Sequence, residues 1–553
     1  MWLSHGAHSV TRPSGKLALT RESKRASSAL SLLDSPLAIK LLFGGSFALL
    51  PLSVGVSQGA VLGPNDVLGI VSHFPISFWF GLTLLCVLIA VLILEERQRS
   101  SVFYVAVSVD LGVYLFGFRI LLEPIPFEGW TFLPFAQIGQ LLASGHVNTA
   151  SGILESYNSL PGFQILMGVL IHVTNLPSIS LLTLMPLFWT FAFAVIAFGA
   201  CRMLSLPPKL SFLCVALATS LWQYDFAGYE YPRLPATLIL LLFFAVVLKS
   251  DDRTSYFISV AFFVSVVLTH QLTALAMLTG AVFIYLYQRK PSALVPYAGS
   301  LFVWYAVNSP SLFQLGLLGL QSPLGDFLFH VRNITSGGGS SSILLTRYAG
   351  IFQYGTLAVI FLTMVVSVFR RSIEQRFRNI VVLVIVWVLG TSIQAVIFGT
   401  GELVYRVFTY DVVPIAVLFG FLVIYSKPKL VIFASLLVIV LIFLSPITNF
   451  GNGGDQYFAP EANVDSFFAL HTTGGSSFFY AYNAGFMYYF NPNLIYVTPL
   501  TSYDSMSQAS FVIMSYLGTT FEGKPFTSWP NTTAGIHADL LFANGYSQIY
   551  HNL

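Results

Sequence analysis

Charged side chains are scarce in this chain. Asp, Glu, Lys and Arg make up 9% of its 553 residues, where a water-soluble domain carries roughly 25%. With 56% hydrophobic residues and a mean hydropathy of +0.77, the composition is that of an integral membrane protein. Cysteine is almost absent: Cys86, Cys201 and Cys214 all lie in or beside apolar runs. That placement argues against a disulfide scaffold and against a zinc site. The net charge of +3 is dispersed, and no basic stripe of the kind that binds nucleic acid forms outside the helix ends. Walker A, GxSxG and HExxH motifs are missing, so no nucleotide-driven pump is indicated. Inverted repeats of the transporter kind are not evident either. A cleavable signal is lacking too: residues 1–37 are polar, and the apolar run from Ile39 to about Leu62 is long for a signal core, with no clear cleavage site after it. Arg12, Lys16, Arg21, Lys24 and Arg25 precede that run and place the N-terminus in the cytoplasm.

What the chain has in plenty is apolar runs. Spans are expected at 39–62, 76–95, 101–122, 177–201, 209–223, 233–249, 255–269, 271–287, 292–308, 349–369, 380–399, 406–425 and 430–446, about thirteen in all. Basic clusters land on one side throughout: Arg97 and Arg99, Arg202 and Lys209, Lys249 and Arg253, Arg289 and Lys290, Arg370 to Arg378, Lys427 and Lys429. This is the pattern of cytoplasmic links. The opposite ends, including the loops 123–176 and 309–348, then face outward. Gly162 to Val173 is too short to span and suits an interfacial or re-entrant helix, and Gln137 to Gly145 is also helix-like. An odd number of spans leaves 448–553 outside, as a small α/β or mixed domain with β-prone runs at Ser476 to Tyr480 and Leu494 to Val497. Asn333-Ile-Thr and Asn531-Thr-Thr are glycosylation sequons on that outer side.

Polar residues gather at the outer ends of the spans. Glu123 and Glu128 follow the third span; Asp225, Tyr229, Glu230 and Arg233 bracket a later outer turn. His270 sits in the tight turn Thr269-His270-Gln-Leu-Thr273, Arg347 opens the tenth span, and Glu402, Arg406 and Asp411 stand where the eleventh leads into the twelfth. A charge within the hydrocarbon costs roughly 2.5–3.5 kcal/mol on the mildest scale. Arg406 and Asp411 therefore need partners or water, which an outward-opening cavity supplies. Arg406 otherwise snorkels to headgroups with Asp411 paired to it. Glu128, with Glu123 behind it, is either a general base or divalent-cation ligand, or an ordinary solvated loop carboxylate. His270 either meets a phosphate or acts as an acid, or it caps a span in its neutral form. Arg332, Arg347 and Arg406 form a candidate clamp for a lipid-linked phosphate, because the guanidinium fork matches phosphate oxygens in pairs. Trp130 and Tyr157 either stack on a sugar or mark the interface.

Three stretches carry a resemblance. They are Glu128-Gly-Trp-Thr through Leu142-Ala-Ser-Gly145 to Tyr157-Asn-Ser-Leu-Pro-Gly162, then Thr269-His270-Gln-Leu-Thr273, and Leu541-Phe-Ala-Asn544-Gly-Tyr-Ser-Gln-Ile-Tyr550. In layout the chain from 101 onward resembles the GT-C superfamily of membrane glycosyltransferases, in particular the archaeal branch similar to dolichyl-phosphate-mannose–protein mannosyltransferases. The resemblance implies an all-α polytopic core (101–447) preceded by two additional N-terminal helices (38–100) and followed by the outer domain. It also implies transfer of a sugar from a polyprenyl- or dolichyl-phosphate carrier to a glycan or protein acceptor at the outer face of the cell membrane. Glu128 and Glu123 would serve catalysis. Arg347 and Arg406 would hold phosphate, and His270, Arg233, Glu230, Trp130 and Tyr157 would make further substrate contacts. A divalent cation (Mg or Mn), with Glu128 as ligand, is a possible cofactor. The family usually has an acidic residue just after Gly-Trp; here that position is Thr131. Either Glu128 has taken its role or the chemistry has changed. The alternatives are a transporter or flippase of lipid-linked glycans and a non-catalytic surface or assembly protein.

Overall fold

The computed structural model describes residues 35–57, 69–95, 97–122, 132–146, 160–176, 178–221, 232–249, 252–308, 344–369, 375–398, 401–424 and 428–450, together with the strands at 477–480, 495–496, 511–515, 538–543 and 547–552. Helices stand at each of the apolar stretches named above: α1 (Pro36–Ser57), α2 (Ile76–Leu94), α3 (Ser101–Leu122), α6 (Ser178–Met203), α7 (Pro208–Leu221), α8 (Arg233–Lys249), α9 (Arg253–Val267), α10 (Gln271–Tyr287), α11 (Val295–Asn308), α12 (Leu344–Phe369), α13 (Gln375–Phe398), α14 (Gly401–Ile424) and α15 (Pro428–Phe450). Two shorter helices, α4 (Phe132–Ser144) and α5 (Pro161–Thr174), lie between α3 and α6. Lipid offers no partners for backbone N–H and C=O groups, so an apolar run must satisfy them within itself, as a helix does. Among the described residues seven helices are long and apolar enough to cross a membrane. The molecule is thus a multi-pass, all-α membrane protein.

Several helices start at other residues than expected, and two of these shifts move candidate residues. The helix expected from 406 begins at Gly401, which carries Arg406 into its second turn and Asp411 deeper still. The helix expected from 349 begins at Leu344, so Arg347 lies in its first turn. In both places the apolar pattern runs further than the charged residues suggest.

Hydrogen bonds join segments that the charge pattern assigns to the same side. Lys209 donates to the Glu95 carbonyl, and Tyr256 donates to the Ala293 carbonyl at 3.1 Å; all four belong to expected cytoplasmic ends. On the other side the Gly162 N–H donates to the Leu268 carbonyl at 2.8 Å, and Gln353 donates to the Ser220 carbonyl at 3.2 Å.

Close helix packing uses small residues, as it does where lipid supplies no hydrophobic drive. A Cβ on Gly280 would meet the Trp387 ring at 2.8 Å, and one on Gly390 would meet the Thr279 carbonyl at 2.9 Å, so α10 and α13 approach through these two positions. Trp387 is fully buried between Phe243 and Phe244. Beyond α15 the chain forms a five-stranded sheet in the order β2-β1-β3-β5-β4, from β1 (Ser477–Tyr480), β2 (Ile495–Tyr496), β3 (Phe511–Ser515), β4 (Ala538–Ala543) and β5 (Ser547–Asn552). β1 runs parallel to β2 and β3, while β5 runs antiparallel to β3 and β4. Both expected β-prone runs hold strands.

Candidate functional site

Four helices bring their N-terminal ends toward one region. His270 is the N-cap of α10 and accepts from the Thr273 N–H. Arg233 is the first residue of α8, Arg406 lies in the second turn of α14, and α5 starts beside the turn that carries His270, through the Gly162–Leu268 hydrogen bond. Helix N-termini expose N–H groups and carry partial positive charge, which favours anions. Here two guanidiniums are added to that field, and both are almost fully buried, Arg233 at 3% exposure and Arg406 at 7%.

The histidine is set for donation. Its Nδ1 accepts from the Thr273 N–H (3.3 Å) and stands 2.8 Å from the Thr273 hydroxyl. That hydroxyl in turn lies 3.1 Å from the Tyr410 hydroxyl. With Nδ1 occupied as an acceptor, the neutral ring carries its proton on Nε2. Arg406 Nη1 lies 3.4 Å from Nε2. Arginine has no acceptor, so Arg406 donates to the ring only in the other tautomer, with Nε2 bare and the Nδ1–H donating to the Thr273 hydroxyl. Burial, then the Arg406 and Arg233 guanidiniums, push the His270 pKa well below the usual histidine value, and the ring stays neutral.

Three helices are tied pairwise beneath this point. Thr273 meets Tyr410 between α10 and α14, and Gln394 donates to the Leu272 carbonyl (3.2 Å) between α13 and α10. Asp411 accepts from Thr391 (2.6 Å) and Ser392 (3.3 Å) between α14 and α13. The bonds of Asp411 go to these hydroxyls and not to Arg406, so of the two readings of these residues the one that pairs them does not hold. Five residues apart on one helix, the two point to different faces. Hydrogen bonds of this kind hold helices together in lipid at roughly 0.6–2 kcal/mol each.

Gly162 fits the α9–α10 turn closely. A Cβ there would meet Thr269 Oγ1 at 2.7 Å and the Leu268 carbonyl at 2.9 Å. The end of the first outer loop and the His270 turn, two stretches that carry the family resemblance, are therefore in direct contact.

Of the candidate residues, His270, Arg406 and Arg233 come together. Glu123, Glu128, Trp130, Tyr157, Glu230 and Arg332 lie outside the described residues, as do the side chains of Arg347 and Glu402. Among the described residues no group of three His, Cys, Asp or Glu stands together to hold a metal ion. Tyr410 escaped the sequence reading because an aromatic inside an apolar run looks like core. Two buried charged residues in α3, Asp110 and Arg119, escaped it as well. Their signal was simply a charge within an apolar span.

The chain matches no protein-family model, and no curated protein matches it. Among solved structures it is similar to ArnT from Cupriavidus metallidurans bound to undecaprenyl phosphate, with TM-score 0.47 and 12% identity over 82% of this chain and 98% of that one. The Archaeoglobus fulgidus oligosaccharyltransferase in complex with Zn and sulfate gives TM-score 0.48 and 11% identity, over 81% of this chain and 73% of that one. At these values the likeness says nothing of any residue's role.

Proposed function

We propose that this protein transfers a sugar from a polyprenyl- or dolichyl-phosphate carrier to a glycan or protein acceptor at the outer face of the membrane, with the carrier's phosphate seated at Arg233, His270 and Arg406. The observation that carries the reading is the meeting of two buried guanidiniums and a neutral histidine at converging helix N-termini. Phosphate is the anion that such a donor set suits best, since a guanidinium fork binds its oxygens in pairs. The lipid surroundings favour a phosphate carried on a hydrophobic chain.

In this reading the neutral histidine donates one hydrogen bond to the phosphate and the arginines stabilise the charge left on it when the sugar departs. Glu128, with Glu123 nearby, takes the proton of the acceptor hydroxyl. Arg347 adds to the phosphate contacts, and Glu230, Trp130 and Tyr157 line the sugar's side. Any divalent cation would rest on Glu128 or Glu123. The archaeal dolichyl-phosphate-mannose branch, thirteen crossings with the N-terminus inside, and an outer domain over 448–553 belong to the same proposal. Transfer fits better than transport because the interior below His270 is filled by Met277 and Trp387, both fully buried.

The test is purified protein in lipid, given radiolabelled polyprenyl-phosphate sugars and membrane extract as acceptor, with and without a chelator. Label should move from carrier to acceptor, and both Glu128→Gln and Arg406→Ala should abolish the movement. Carrier binding without turnover in the wild type would exclude transfer.

A further inference from the structure

The contacts around His270 ask opposite things of its ring. The Thr273 N–H donates to Nδ1 from 3.3 Å, which requires a bare Nδ1 and puts the ring proton on Nε2. Arg406 Nη1 stands 3.4 Å from Nε2, and a guanidinium can only donate, which requires a bare Nε2 and puts the proton on Nδ1. A neutral ring has one such proton and meets one of these demands at a time. The shortest contact, 2.8 Å from Nδ1 to the Thr273 hydroxyl, serves either state, since a hydroxyl both donates and accepts.

Helix α14 reaches both ends of the ring. Arg406 and Tyr410 are four residues apart and therefore share a face of that helix. The first meets Nε2, and the second stands 3.1 Å from the Thr273 hydroxyl that holds Nδ1. Thr273 and Tyr410 are both fully buried, so the Thr273 hydroxyl directs its proton at Nδ1 or at Tyr410. His270 itself is half-buried, within reach of water.

We propose that Thr273 and Tyr410 are positioning residues that let His270 change tautomer when phosphate enters the site. The empty site holds a share of the rings as Nδ1–H. In that form Nδ1–H donates to the Thr273 hydroxyl, Thr273 donates to Tyr410, and Nε2 accepts from Arg406. Phosphate draws the guanidinium to itself and takes a hydrogen bond from Nε2–H, while Tyr410 donates to Thr273 and Thr273 to Nδ1. One N–H bond breaks at Nδ1 and one forms at Nε2, with water as the carrier, so no proton is gained or lost overall. The inference rests on the phosphate seat of the proposed function and adds how that seat is held while empty, with Arg406 fastened to the ring.

The test is nitrogen NMR of the full chain in lipid nanodiscs, isotope-labelled in its histidine rings, with His270→Gln to identify the His270 signals. Polyprenyl phosphate is the ligand and polyprenol the control. The wild type should show both ring forms without phosphate and the Nε2–H form with it, and polyprenol should change nothing. Tyr410→Phe should hold the proton on Nε2 in both conditions, because Nδ1 is then the remaining partner of the Thr273 hydroxyl. That variant should still bind phosphate, about twofold tighter where the two empty forms are equal. Thr273→Val removes the hydroxyl and should act alike, whereas Thr273→Ser retains it and should switch. A ring that keeps one form throughout while phosphate binds would overturn the inference and leave the seat standing. A switch that survives Tyr410→Phe and Thr273→Val would overturn it as well. Equal binding of polyprenyl phosphate and polyprenol would remove the seat, and the inference with it.

Discussion

At the end of the bundle that holds the 95–99 link, cations meet acceptors. Arg99 forks onto the Glu95 carboxylate at 3.1 and 2.5 Å, and Lys209 reaches the carbonyl of the same residue. At the opposite end Arg406 Nη1 lies 3.4 Å from His270 Nε2 and the charge of Arg233 also acts on that ring, near the starts of helices whose dipoles add to the positive field. The first arrangement lowers the energy of the folded chain and asks for nothing further. The second gathers positive charge around a neutral ring. Buried charged groups that converge around a titratable ring are a mark of function, and the two ends differ in this respect.

The comparison breaks first at Arg406. If this arginine serves a phosphate, Arg406→Ala should lower the specificity constant of transfer by about 2–5 kcal/mol, tens- to thousands-fold, while melting changes little. Steady-state kinetics beside thermal unfolding of the same sample would check it. Glu95→Gln should do the reverse. It should cost about 2 kcal/mol of stability, between the values for exposed and buried pairs, and leave carrier affinity untouched. Gly162→Ala sharpens the contrast, because the added methyl presses on the Leu268–Thr269 turn. A loss of about 1–3 kcal/mol in stability is expected, and a weaker carrier affinity should accompany it, since the turn carries His270.

The smallest effect concerns pH. The unfolded chain takes up a proton on His270 near pH ~6.5, whereas burial and the two arginines keep the folded ring neutral to well below that. The unfolded state then binds more protons, so stability is full above about 6.5 and declines as pH falls below it. His270→Gln should flatten that slope in thermal melts, and carrier affinity of the wild type should stay level between about pH 6 and 8.

Much of the helical core is legible in the sequence, because lipid forces each apolar run to satisfy its own backbone. The α5 stretch is too short to span and the structure makes it a 14-residue helix. That two basic links share one end of the bundle is legible too, since Lys209 and Glu95 meet there. Which arginines meet is another matter. Arg233, His270 and Arg406 are distant in sequence, and their meeting depends on how α8, α10 and α14 cross. Asp110 and Arg119 went unseen because hydropathy averaged over a span hides one charge. The bonding of Asp411 to Thr391 and Ser392, in place of Arg406, is a matter of helix rotation. The first outer loop, with Glu128, is read from sequence alone.

The most direct test compares polyprenyl phosphate with the corresponding polyprenol for binding to the full chain in lipid nanodiscs. Arg233→Ala and Arg406→Ala are measured beside the wild type. The site described here predicts a preference for the phosphate of at least about tenfold, or ~1.4 kcal/mol, which either substitution removes while polyprenol binding persists. Equal affinity of the wild type for the two lipids, or a phosphate preference that survives both substitutions, would contradict it.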